Sequence, residues 1–400
     1  MSSRKGRMRM FNANDAAVII GAYEHPGREL PDKSLAQIHA EVAIGALADA
    51  GLTLDDVDGY FCGHDAPGYG GGWVTMAEYL GLRDLTYMDS TESGGASPIY
   101  HVSHAAAAIA AGKCSVALIT LAGKPRTGIQ PGGGGPARPE DDFETAIFTG
   151  AGLVSTYALA ARRHMYEFGT TSEQLAEIKV AASKHASHNP NAFLQKVMTV
   201  EDVVNSPMVA DPLHRADCCV VTDGGGAVVV VSREVARSLD RQPVRIMGQG
   251  ESAKLTNGGK LDLTYTSAVW SGPRAFEQAG VTPQDVDYVS IYDSFTITVL
   301  EILEDLGFCA KGEGGRFVMD GTLVAPHGRL PFNTDGGGLS NNHPGHRGGI
   351  TKTIEAVRQL RGEANQGVQI PDCEIALVHG NGGDLGTRMR SATMILGRDA

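Results

Sequence analysis

Apolar residues along this chain fall into short buried runs that alternate with helical periodicities. Ala16-Ala17-Val18-Ile19-Ile20-Gly21 reads as a buried strand, and Ser34 to Ala50 carries apolar positions at Leu35, Ile38, Val42, Leu47 and Ala50, the spacing of one helix face. Gly51 to Phe61 then reads as a helix C-cap, a short acidic turn and a new strand. The same pattern returns far downstream as Gly280-Val281-Thr282-Pro283-Gln284-Asp285-Val286-Asp287-Tyr288-Val289. A second pair of echoes supports the repeat. An alanine-rich helix over 98–112 leads into the strand Val116 to Thr120, and a helix over 347–361 (Ile350, Ile354, Val357, Leu360) leads into Glu374 to Val378. Helices alternating with buried strands predict layered α/β sheets built from one duplicated unit. The first half closes on the strand Ala227 to Val231.

Two stretches depart from the repeat. Gly123 to Asp142, with four consecutive glycines between Pro131 and Pro136, reads as a loop or lid. It is followed by predicted helices at about 151–168 and 172–188 and a polar excursion to Pro212. The resulting division is a first half over 1–258, interrupted by an insertion at about 123–215, and a second half over 259–400.

Composition narrows the function. At 400 residues the chain exceeds what a single hydrophobic core usually serves. With 42% hydrophobic residues it is too apolar for disorder, and no window approaches the 18 apolar residues of a membrane span. Lys and Arg number 34 against 46 Asp and Glu, a net charge of −12, the wrong sign for binding nucleic acid. The six cysteines (62, 114, 218, 219, 309, 373) form no C-x-x-C pair, the pattern of a reduced, cytoplasmic compartment. The basic start, Met1 to Arg9, has no apolar segment behind it and fails as a secretory signal.

No G-x-S-x-G, Walker or H-E-x-x-H motif is present. Gly248-Gln249-Gly250-Glu251-Ser252-Ala253 matches a dinucleotide fingerprint only in its letters, because Leu255 to Gly259 cannot continue as the required helix. His343 and His346 lack a ligand cluster, so no metal is expected. His101 and His104 read as polar-face residues of the alanine-rich helix. What stands out is three glycine-dense segments: Glu92 to Pro98, Gly336 to Pro344, and His379-Gly380-Asn381-Gly382-Gly383. The first two precede helices, where backbone amides could hold a developing enolate or thioester oxygen. A fourth segment, Ser290 to Thr296, puts Tyr292 and Asp293 at the C-terminal edge of a strand, where α/β proteins tend to place their chemistry.

With these segments, Ala210-Asp211-Pro212-Leu213, Asp217-Cys218-Cys219 and Asp223-Gly224, the sequence resembles the thiolase superfamily, in its sterol-carrier and lipid-transfer branch. The resemblance spans nearly the whole chain. It implies duplicated βαβαβαββ halves in a five-layer αβαβα fold, a homodimer, and carbon-carbon chemistry beside a coenzyme A thioester, with no permanently bound cofactor. The departures carry more information. The family's nucleophilic cysteine falls at Gly95, and its second cysteine at Ser294 or, in other members, at His379. Without a thiolate no acyl-enzyme forms through sulfur.

A histidine and a phenol remain, His343 and Tyr292, and they are the equipment of a retro-aldol cleavage. In this reading Asp293 and His379 orient that pair, and the loop residues Gly95, Ser97, Ser294, Gly338, Ser340, Gly382 and Gly383 bind substrate or the enolate. Relatives that shorten steroid side chains work with a small zinc-ribbon/OB-fold chain, so the resemblance implies such a partner. Two alternatives stand beside this reading: a true thiolase or acyltransferase using Cys62, and a non-catalytic acyl-CoA or lipid-binding subunit.

Overall fold

The computed structural model describes residues 16–64, 66–67, 72–128, 153–255, 261–383 and 389–399. The first half comprises β1 (Ala17–Glu24), α1 (Leu35–Ala50), β2 (Gly59–Cys62), α2 (Trp73–Leu80), β3 (Tyr87–Asp89), α3 (Ser97–Ala110) and β4 (Val116–Gly123). The insertion contributes α4 (Leu153–Phe168), α5 (Ser172–Ala186) and a small hairpin, β5 (Met208–Ala210) with β6 (Leu213–His214), before β7 (Gly224–Ser232) returns to the sheet. The second half comprises β8 (Val244–Ala253), α6 (Ala268–Ala279), β9 (Tyr288–Ile291), α7 (Thr296–Asp305), α8 (Gly349–Arg361), β10 (Ile375–Gly382) and β11 (Arg390–Arg398). The part of the expected lid between 129 and 152 lies outside the described residues.

The strands form one mixed sheet in the order β3-β2-β4-β7-β1-β8-β11-β10-β9. The two halves meet at β1 and β8 through only Val18↔Arg245 and Ile19↔Val244, whereas β8 pairs with β11 from Val244↔Arg398 to Ala253↔Arg390. By pairing, β8 therefore belongs with the second half, although the division at 258 assigned it to the first.

The sheet wraps around a central helix layer. α1 and α2 cover the outer face of the first half through Val42, Leu47 and Met76 against Val18, Leu118 and Val229. α3 and α8 fill the interior, Val102 and Ile354 packing with Ile119, Val228, Val378 and Met394. α6, α7 and the inserted α4 and α5 cover the outer face of the second half, against Val289, Leu377 and Ile395. This is the α/β thiolase fold with its five layers.

The repeat rests on matched local devices. α1 and α6 both end in a left-handed glycine, Gly51 at φ 74° and Gly280 at φ 70°. In the turn that follows, Asp56 accepts the Thr53 amide at 2.8 Å and Asp285 the Thr282 amide at 2.7 Å. Asp58 then receives the Val116 amide at the start of β4 at 2.7 Å, and Asp287 the Ile375 amide at the start of β10 at 2.9 Å. Gly248 and Gly250 sit inside β8, where an added Cβ would lie 2.1 Å from the Ala275 carbonyl oxygen and 2.0 Å from that of Ser271. They admit α6 onto the strand.

Candidate active site

The glycine-dense segments converge where the two halves meet. Gly94 to Ala96 form a tight turn into α3, Gly337 to Asn341 form a π-helical turn, and β10 ends at Gly382 beside the first turn. Tyr292 follows the end of β9, anchored by its amide to the His379 carbonyl at 2.9 Å. An ideal Cβ built on Gly95 would lie 2.6 Å from Tyr292 Cζ and 2.7 Å from the Asn381 carbonyl oxygen. The phenol ring thus occupies the space in which a side chain at position 95 would begin.

His343 faces Tyr292, with ring centroids 5.2 Å apart and planes tilted by 41°. The two groups expose 5% (Tyr292) and 9% (His343) of their surface, so the pair lies in a low-dielectric setting. The Tyr292 hydroxyl donates only a long bond, 3.3 Å, to the Gly345 carbonyl, and His343 Nε2 has no hydrogen-bond partner among the described residues. Burial raises the Tyr292 pKa well above the phenol range. Burial, then His346 and Lys352, lower that of His343 to about 3. At neutral pH the site therefore holds a protonated phenol and a neutral imidazole.

The remaining expected residues sort into frame and surroundings. Asp293, fully buried, accepts the amides of Gly338 at 2.7 Å and Leu339 at 3.1 Å and pairs with Lys352 at 3.4 Å. It clamps the π-turn that leads to His343, rather than orienting either ring directly. Because its carboxylate engages the Gly338 amide, that amide is not an oxyanion donor, contrary to the expectation from sequence. Ser340 is likewise part of the frame, its Oγ accepting from Lys179 at 3.0 Å.

His379 projects to the opposite face of β10, its Nδ1 2.9 Å from Thr393 Oγ1 beneath α6, while Gly380 faces the Gly95 carbonyl. Strand alternation decides this, so His379 supports Tyr292 only through its carbonyl. Ser97 accepts the Ser93 amide at 2.8 Å, and Ser294 Oγ turns to Thr298 at 3.5 Å. Gly382 presses on the first turn, its ideal Cβ only 1.9 Å from the Ser93 carbonyl oxygen, and the Gly383 carbonyl accepts from Tyr157 at 3.1 Å. Cys62 points into the α1/α2 layer, its Sγ 3.9 Å from His39 Nδ1, and does not face Gly95 or Tyr292.

Several residues of the site were missed in the sequence. Arg347, 2% exposed, donates to Glu92 at 2.7 Å, and Glu92 in turn accepts the Gly94 amide at 2.9 Å, so an ion pair ties the first glycine turn to the short turn Gly345–Gly348 that follows His343. Tyr157 of α4 stacks on Phe295 with centroids 4.2 Å apart. Cys219 lies within electrostatic range of Tyr292, and burial pushes its thiol far up, so it stays protonated and neutral there. Its signal was already in the Asp217-Cys218-Cys219 motif, but nothing local tied that motif to Tyr292. Among the described residues no three His, Cys, Asp or Glu side chains gather as a metal site, and no helix is long and apolar enough to cross a membrane.

A duplicated α/β fold with its polar groups gathered where the glycine turns of both halves meet defines a thiolase-like acyl-CoA enzyme. A family model described as thiolase C-terminal domain-like matches residues 250–398. An acetyl-CoA acetyltransferase of Methanothermobacter thermautotrophicus is 34% identical over 377 residues, covering 92% of this chain and 97% of that protein. A steroid side-chain-cleaving aldolase of Thermomonospora curvata is 34% identical over 401 residues, covering 96% and 98%. The solved structure of an Ltp2-ChsH2(DUF35) aldolase superposes with a TM-score of 0.86 at 32% identity, covering 97% of this chain and 99% of that one. The chain belongs to the thiolase superfamily, in the sterol-carrier and lipid-transfer branch that includes steroid side-chain-cleaving aldolases.

Proposed function

We propose that this chain is a lyase that cleaves the Cα–Cβ bond of a β-hydroxyacyl-CoA by a retro-aldol route. The observation that carries this reading is the Tyr292 ring standing against a glycine at position 95, where the family keeps its nucleophilic sulfur. The resting protonation states suggest the order of events. The neutral imidazole of His343 takes the β-hydroxyl proton, the β-carbon becomes a carbonyl, and the bonding electrons pass to the thioester enolate. The Tyr292 phenol then protonates the α-carbon, and His343 returns its proton to the phenolate. The products are an aldehyde or ketone and a shorter acyl-CoA. A DUF35 chain, of the kind in the solved aldolase complex, is the proposed partner of a homodimer of this chain.

The acetyltransferase likeness supports a second reading, acyl transfer, but that route needs a thiolate, and the thiol beside Tyr292 is held protonated. Incubation with a panel of β-hydroxyacyl-CoA thioesters, with and without a DUF35 chain, tests the proposal. Carbonyl product and shortened acyl-CoA are expected in equal amounts. Tyr292→Phe should lose about 10²- to 10⁴-fold in kcat while remaining folded. An acyl adduct trapped on any side chain, or full activity in the Phe variant, would refute it.

A further inference from the structure

Lys179 lies in the middle of α5 and is 2% exposed, an expensive place for an ammonium group unless its hydrogens are taken up. The proposed chemistry makes no use of it. Its Nζ donates to the Leu339 carbonyl at 2.5 Å and to Ser340 Oγ at 3.0 Å, both within the π-turn that leads to His343. The other side of the same residue is held too, since the Leu339 amide donates to Asp293 at 3.1 Å. Asp293 is the neighbour of Tyr292 in the chain. The turn is therefore gripped between an anion fixed to the Tyr292 strand and a cation supplied by the insertion.

We propose that Lys179 is a positioning residue that sets His343 against Tyr292 by holding the Leu339 carbonyl from outside the turn. The inserted helices thereby become part of the catalytic frame as well as pocket wall. The proposal rests on the lyase reading for its kinetic consequence, but the grip itself does not.

The charge is also tunable. Burial lowers the Lys179 pKa to about 8, against the opposing fields of the Asp293 and Asp217 carboxylates, with the thiols of Cys218 and Cys219 beside it kept neutral by burial. Those groups face it from the strand end after β9 and from the turn after β6, and Lys352 stands on the far side of Asp293 on α8. Above that pH the amine loses its charge-assisted bonds and the turn loosens.

Lys179→Met keeps most of the volume and removes the donors. It is expected to stay folded, to speed hydrogen exchange of the amides from Gly338 to His343 at least tenfold while the β-strands keep their protection, and to lower kcat by about 10- to 100-fold with KM nearly constant. The wild-type rate should fall on the alkaline side with an apparent pKa near 8, and that limb should vanish in the variant. An unchanged kcat, or a loss confined to KM, overturns the proposal. Should Lys179→Met fail to fold, Ser340→Ala, which removes one acceptor, must show the same changes in smaller measure. If the wild-type protein cleaves no β-hydroxyacyl-CoA, exchange decides alone: faster exchange at the turn upholds the grip while the lyase reading falls, and unaltered exchange overturns the grip.

Discussion

Gly95 and Tyr292 act as a matched pair, because the ring fills a volume that any side chain at 95 would need. Gly95→Ala is therefore an overpacking change and should cost about 1 to 3 kcal/mol in urea unfolding. In a Tyr292→Ala background part of that cost should disappear, leaving the portion due to the Asn381 carbonyl. A stabilising or neutral Gly95→Ala would mean the ring does not sit there. For the same reason Gly95→Cys should not restore a working nucleophile while Tyr292 is present. At this scale the letters at 95, 292 and 343 were readable in the sequence, since each lies in a local motif. The direction of His379 was not, because strand alternation relative to α6 sends its ring away from Tyr292.

The central helix α8 shows how an element changes character when it is enclosed. Its apolar positions Ile350, Ile354, Val357 and Leu360 read as one face, yet its charged residues are largely buried too, between two sheets. Lys352 meets Asp293, Arg361 reaches Asp49 at 3.1 Å and the Ile20 carbonyl at 2.8 Å, and Glu355 accepts from Thr334 at 2.6 Å. Burial first, and Asp335 second, push the Glu355 carboxyl up to about 7 from its usual 4.5. The folded protein then binds this proton more tightly than the unfolded chain does. Its contribution to stability is full below about pH 4.5 and is lost as pH rises through about 7. Glu355→Gln, which cannot ionise, should gain on the wild type by on the order of 2 kcal/mol between pH 5 and pH 8, read from denaturant midpoints. A difference that stays constant over that range would show that Glu355 does not titrate there.

Across the whole molecule, burial suppresses thiol chemistry at five of the six cysteines, and the sixth, Cys62, is itself buried in the α1/α2 layer. Burial raises the thiols of Cys114, Cys218, Cys309 and Cys373 to about 12 and that of Cys219 further still. Iodoacetamide at pH 7.5 should accordingly label no thiol rapidly and leave activity intact, whereas one fast-reacting cysteine with loss of turnover would bring back acyl transfer. The duplication was legible in the sequence because its devices are local. Gly51 and Gly280, Thr53 with Asp56, and Thr282 with Asp285 act within a few residues of one another, and their letters survive in linear order. The same holds for the alternation of strands and helices and for the absence of cysteine at position 95. Tertiary structure alone decided which groups work together. Lys179 grips a carbonyl 160 positions away, Arg347 finds Glu92 from 255 positions away, and the amides of the second glycine turn are engaged by Asp293 before any substrate arrives. Sequence fixes what each residue can donate, accept or fill, but buried partners are chosen by how layers stack, and that choice belongs to the folded chain as a whole.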